Sequence, residues 1–149
     1  MISYGTQAEA FHHEMVALIK KYQFRDRNEI TCCGVSVSQC YVLELLHFQG
    51  ALTMRKLAEQ MHLSVSTITR VVEGLVKKGY VHREEDAEDR RVRRVGLTGE
   101  GQGIFEACWN NVMQSEEAIL EQFPVEHRAM LIEFLQQLNQ ATTCWQAGR

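Results

Sequence analysis

The stretch from Ser64 to Leu97 constrains the fold of this chain more than any other part. Ile68, Val71, Val72, Leu75 and Val76 recur at the three- and four-residue steps of one helix face, and Gly79 stops the run. Ser64 supplies a hydroxyl at its start, suited to cap the first turn. The period then changes. Tyr80–Glu84 and Arg93–Leu97 read as two strands with the polar loop DAEDRRV between them. Upstream, Thr53 can cap a short helix with Leu57, Ala58 and Met61 inward, and only His62 and Leu63 separate it from Ser64. Two helices across so short a connection, followed at once by a β-hairpin, predict a helix-turn-helix carrying a wing.

Helical spacing dominates the rest. Phe11, Met15, Leu18, Ile19 and Tyr22 predict an amphipathic first helix from Gln7 to Tyr22, after which DRNEITCCGVS breaks the period and reads as a loop. Ser36 or Ser38 can cap a second helix carrying Val42, Leu43 and Leu46, which ends at Gly50. Beyond Thr98, apolar residues from Ile104 to Phe123 mark a long helix. Pro124 then opens another, with Leu131, Phe134, Leu135, Leu138 and Ala141 in phase. The expected fold is mainly α, about six helices plus a small β-hairpin wing, in a single domain over 1–149. Within it the winged helix-turn-helix spans 36–97, and helical dimerisation parts span 5–33 and 98–147. Those flanking helices carry more apolar surface than a small winged domain needs, and a second copy is the simplest cover for it.

Charge distribution narrows the function. The chain is −3 overall, yet Thr53 to Leu97 holds ten Lys/Arg against seven Asp/Glu while the remainder holds six against twelve. A basic segment in an acidic protein focuses a positive field on one surface. The apolar fraction of 45% with a single Pro is that of an ordinary globular chain. No apolar run approaches membrane-span length, and MISYGTQAEAFHHEM lacks a signal-peptide core, so a cytoplasmic protein with no membrane partner is expected. Five cysteines, at 32, 33, 40, 108 and 144, form no repeated CxxC pair, and a reducing compartment would keep them as thiols.

With Ile68, Val72 and Leu75 turned inward, the opposite face of the Ser64 helix presents Ser66, Arg70, Glu73 and Lys77, flanked by Thr67 and Thr69. Short polar and basic side chains in the first turns suit base edges and phosphates in a major groove, with Arg70 able to grip a guanine and Ser64 beside a phosphate. A plainer reading has the hydroxyls only capping a solvated helix. The hairpin favours the first. Arg90 and Arg91 lie at its tip with Arg93 behind, and an arginine on a narrow β-loop fits a minor groove. Asp89 is close enough to pair with Arg91 and orient it.

The run SVSTITRVVEGLVKKGYVHREEDAEDRRVRRVGLTGEG resembles the signature of the MarR family. The matching elements are the Ser/Thr helix start, Leu75, Gly79-Tyr80-Val81, Arg83, Asp89-Arg90-Arg91, Leu97-Thr98 and Gly101. The upstream VSVSQCYVLELL is similar to that family's second helix, with Cys40 where an aromatic is usual. This resemblance implies a homodimer joined through its first and last two helices and bound to double-stranded DNA at a pseudo-palindromic operator. It implies a repressor released by a small molecule or oxidant. It also implies an effector crevice, for which Met15, Tyr22, Cys40, Tyr41, Phe105 and Trp109 form an apolar, aromatic candidate set.

No motif requires a cofactor, and a small-molecule or soft-metal effector is the expected signal. Cys32, Cys33 and Cys40 could sense a soft metal or an oxidant, with His12, His13 or His47 nearby, although their spacing matches no standard zinc pattern. The simpler account puts Cys40 in the core. Two rival classes remain open: a winged-helix scaffold for DNA or protein with no effector, and a thiol-dependent enzyme using those cysteines with His12, His13 or Glu14. The second lacks a phosphate-binding glycine loop or any catalytic signature.

Overall fold

The structure, a computed structural model, describes residues 5–31 and 33–149. Its elements are α1 (Gln7–Thr31), α2 (Val37–Gln49), β1 (Leu52–Thr53), α3 (Met54–Met61), α4 (Val65–Lys77), β2 (Val81–Glu85), β3 (Arg93–Leu97), α5 (Gly99–Leu120) and α6 (Val125–Ala147). The class is mainly α, six helices with a small antiparallel sheet in the order β1-β3-β2. Two compact units divide within α5, one running through Val112 and the other from Met113 to Arg149.

Hydroxyl caps fix where the helices of the first unit begin. Ser36 and Gln39 form a reciprocal capping box on α2, Thr53 accepts from Lys56 N on α3, and Ser64 accepts from Thr67 N on α4. The turn between α3 and α4 passes through His62 in the left-handed region, φ 54°. Ile68, Val72 and Leu75 of α4 meet Val42, Leu43 and Leu46 of α2 and Leu57 of α3 in one core, which also holds Ile30, Phe105 and Cys108. β2 begins one residue later than its sequence suggested, because Tyr80 N donates to Leu75 O as part of the α4 exit. β1 carries no signal of its own. Its two residues pair with β3 as Leu52↔Val95 and Thr53↔Arg94.

The expected loop after Tyr22 is corrected: α1 continues through Thr31. Tyr22, Asp26 and Ile30 stand four residues apart on one face, and that face is buried at Ile30 and at Asp26. A carboxylate therefore occupies a core position, which is what interrupts the apolar period. In the second unit no residue of α6 is buried, and Phe134 and Trp145 are 58% and 60% exposed.

Candidate nucleic-acid interface

The packing of α4 fixes its rotation. Ile68, Val72 and Leu75 are fully buried, so Ser66, Arg70, Glu73 and Lys77 face solvent and Thr67 and Thr69 stand half-buried at the flanks. Ser64, Ser66 and Thr67 join their hydroxyls at the N-terminus, with Ser64 Oγ 2.8 Å from Thr67 Oγ1 and 3.1 Å from Ser66 Oγ. Thr69 donates its hydroxyl to Val65 O, 2.8 Å. Arg70 and Lys77 have no hydrogen bond or ion pair among the described residues, whereas Lys78 is occupied by Gly34 O at 2.9 Å and Gln39 Oε1 at 2.8 Å.

The wing is held from within. Asp86 accepts from Glu88 N at 2.8 Å and from Arg94 Nε at 2.6 Å across the hairpin, and Asp86 N donates to Val92 O. These donors, the Glu88 amide foremost and then Arg94, hold the Asp86 carboxyl below its ordinary range. Asp89 holds Arg91, accepting from its backbone N at 3.0 Å and its Nε at 3.2 Å, while the guanidinium stays 91% exposed. Arg90 and Arg93 are exposed and unpaired among the described residues. Where the wing meets α4, Arg83, Arg93, Arg94, Thr69, Met54 and Val95 line a hollow of about 230 Å³. Arg83 and Arg93, the two guanidiniums of this recess left unpaired among the described residues, suit an oxyanion such as a backbone phosphate. Sequence reading missed Asp86 and Arg94 as a pair; an Asp opening a polar turn was the available signal.

The effector candidates separate. Cys40, Tyr41, Phe105 and Trp109 line one hollow together with Asp26 and Glu44, but it measures about 30 Å³, room for one or two waters. Tyr22 stands outside it, its ring 4.5 Å from the Arg25 guanidinium. Met15 does not line it. Tyr41 donates its hydroxyl to Asp26, which also takes Arg25 Nη2 at 2.9 Å. Burial, and then this bond to Asp26, push the Tyr41 phenol well above its ordinary value. Burial also pushes the Cys40 thiol up to about 11, next to Cys108 in the core.

Cys33 is half-buried with Asn111 Nδ2 at 3.6 Å from its sulfur, Cys144 is exposed, and Cys32 lies outside the described residues. His47 is drawn elsewhere, stacked on Phe105 at 4.4 Å and bonded to Gln102, while His12 and His13 touch each other. Among the described residues no three His, Cys, Asp or Glu side chains converge as a metal site.

A three-helix core with an arginine-tipped hairpin beside an exposed polar helix defines a winged helix-turn-helix protein. Residues 35–92 match the model of the MarR family. The chain is 33% identical over 116 residues to the HTH-type transcriptional regulator YfiV of Bacillus subtilis, covering 78% of this chain and 72% of that one. It is 31% identical over 107 residues to the HTH-type transcriptional repressor MdtR of the same organism, covering 72% and 66%. In fold it is similar to the crystal structure of MarR, with a TM-score of 0.80 over 99% of this chain and 100% of that one at 18% identity. The chain belongs to the MarR family of DNA-binding transcriptional regulators.

Proposed function

We propose that the chain acts in the cytoplasm as a homodimer that binds a pseudo-palindromic DNA operator and represses transcription until a small-molecule, metal or oxidant signal releases it. In this reading α4 enters the major groove with Ser66, Arg70 and Lys77, Ser64 and Thr67 meet phosphate at its N-terminus, and Arg90 and Arg91 reach the adjacent minor groove. The observation that carries it is a set of cations left unpaired among the described residues, Arg70 and Lys77 on α4 beside Arg83, Arg90 and Arg93 on the wing. Uncompensated cations on two adjoining elements suit a polyanion. Exposed apolar side chains on α1 and on α6, Phe24 at 63% and Trp145 at 60% among them, support a second copy as cover. Two-fold partners would set the recognition helices about 34 Å apart, one turn of duplex. The similar protein MdtR of Bacillus subtilis is a transcriptional repressor, which supports this direction of control.

A binding function is proposed rather than an enzymatic one. The Cys40 thiol, held protonated by burial, contacts Cys108 rather than a base.

The test is fluorescence anisotropy on labelled duplex from upstream of the protein's own gene, at several salt concentrations, with dimer mass from light scattering. The expected result is tight binding by a dimer whose log affinity falls with log salt by about 0.9 for each phosphate neutralised. A stable monomer, or binding indifferent to salt, would overturn the reading.

A further inference from the structure

A third hollow, open to solvent between α2 and α3, has about 460 Å³, the size range of drug-like ligand sites. Its walls are apolar and aromatic: Tyr41, Leu45 and Phe48 from α2, and Met61 from α3. Gln49 and Gln60 close one side through paired amide bonds of 2.6 and 2.8 Å, so their polar atoms are already satisfied. Among the described residues the single charged side chain lining it is Glu44. Glu44 is half-buried and has no hydrogen bond or ion pair among them. Asp26 lies behind Tyr41 and adds negative potential. The ring of Phe48, 60% exposed, is steadied at its inner edge by Trp109 at 5.3 Å and His47 at 4.7 Å.

We infer that this groove binds an organic cation with apolar bulk, taking Glu44 as its counter-charge and Tyr41 and Phe48 as aromatic walls. An anion would meet the Glu44 carboxylate and, among the described residues, no cation lining the groove. A small hydrated metal ion would leave the apolar walls unfilled. An organic cation satisfies the carboxylate, covers the exposed rings and gains cation–π attraction from them. The inference rests on the proposed regulatory function only for its consequence, release of DNA. Binding itself is a property of the free protein.

Calorimetric titration of the DNA-free protein with tetraphenylphosphonium and with tetraphenylborate, two ions of nearly one shape and opposite charge, tests it. The phosphonium should bind once per protomer and the borate at least about tenfold more weakly. Glu44→Gln should erase that preference, and Phe48→Ala should weaken the phosphonium, with circular dichroism confirming that both variants fold. Equal binding of the two ions, or a preference unchanged in Glu44→Gln, overturns the inference. So does failure of the phosphonium to bind because the apolar face of another copy's α1 fills the groove. DNA is absent from the titration, so failure of operator binding would leave its result intact.

Discussion

Gly101, in the first turn of α5, is the point where the wing is fastened to the helix that follows it. A Cβ built there falls 1.9 Å from Tyr80 O and 2.8 Å from Tyr80 C, where real Cβ contacts essentially never come under 3.0 Å. Both sides are backbone, so Gly101→Ala must move the start of α5 by more than 1 Å. Three bonds sit in the way: Thr98 Oγ1 donating to Gly79 O at 2.6 Å, Gly101 N donating to Thr98 Oγ1 at 3.0 Å, and Thr98 N donating to Tyr80 O at 3.1 Å. At about 1 kcal/mol each their loss costs about 3 kcal/mol. Alanine's better helix propensity returns about 1 kcal/mol. The net is about 2 kcal/mol, which for a chain of this length lowers Tm by about 4–8 °C. Gly103, two residues on and exposed, is the control, since a Cβ there meets nothing within 4 Å. Gly103→Ala should hold or raise Tm. Calorimetric melts at one fixed protomer concentration compare the three proteins, because association shifts Tm by mass action. A Gly101→Ala protein melting with or above wild type would refute the steric reasoning.

Arg91→Ala should leave Tm unchanged, because its guanidinium is 91% exposed and, among the described residues, pairs only with Asp89. It should reduce the salt slope of DNA binding by about 0.9 per protomer, and an unchanged slope and midpoint in the anisotropy titration would remove Arg91 from the interface. Tyr41→Phe takes a donor from Asp26, which is 7% exposed, and should cost about 1.5–3 kcal/mol in urea unfolding; a loss under about 0.5 kcal/mol would show that Arg25 alone satisfies the carboxylate. Glu44 is held above its usual carboxyl range, first by burial and then by the charge of Asp26, so the folded state prefers it protonated. Stability attached to this group is present below its usual value of 4.5 and is lost as pH rises through the higher folded value. Glu44→Gln should therefore stabilise the protein at neutral pH, with the advantage fading as pH falls toward 4.5; paired urea melts at the two pH values would contradict this if the variant were weaker at neutral pH.

The exposed face of α4 was legible because a helix with one buried stripe has a single rotation. Once Ile68, Val72 and Leu75 turn inward, Arg70 and Lys77 have nowhere to point but outward. Caps were legible for a similar reason: Ser64 and Thr53 act on residues three positions away. What escaped reading depends on partners that only the fold supplies. Asp26 looked like the end of a helix because its donor, Tyr41, lies 15 positions on in another element. The Asp86–Arg94 clamp joins two strands, and β1 exists only because β3 lies beside it. The effector residues were read as an apolar set, and chemistry divided them. Tyr41 spends its hydroxyl on Asp26, which leaves almost no space on that side and turns its ring toward the larger groove.

That division places the groove and α4 in one compact unit. The inner face of α2, with Val42, Leu43 and Leu46, is packed in the core with Ile68, Val72 and Leu75 of α4. Lys78, at the end of α4, is bonded to Gly34 O and to Gln39 Oε1 at the start of α2, and the Gln39 side-chain amide also lies against Gly74 of α4. The outer face of α2 carries Tyr41, Glu44 and Phe48 into the groove. Close-packed interiors transmit displacement rather than absorb it, so an occupant that moves α2 moves α4 with it. Coupling of about 1–3 kcal/mol is enough to change operator affinity 5- to 150-fold, and it requires only that the occupant fit one placement of α2 better than the other. An uncompensated, half-buried Glu44 provides that difference: a cation is held more tightly by whichever placement brings the carboxylate and the two rings closer around it.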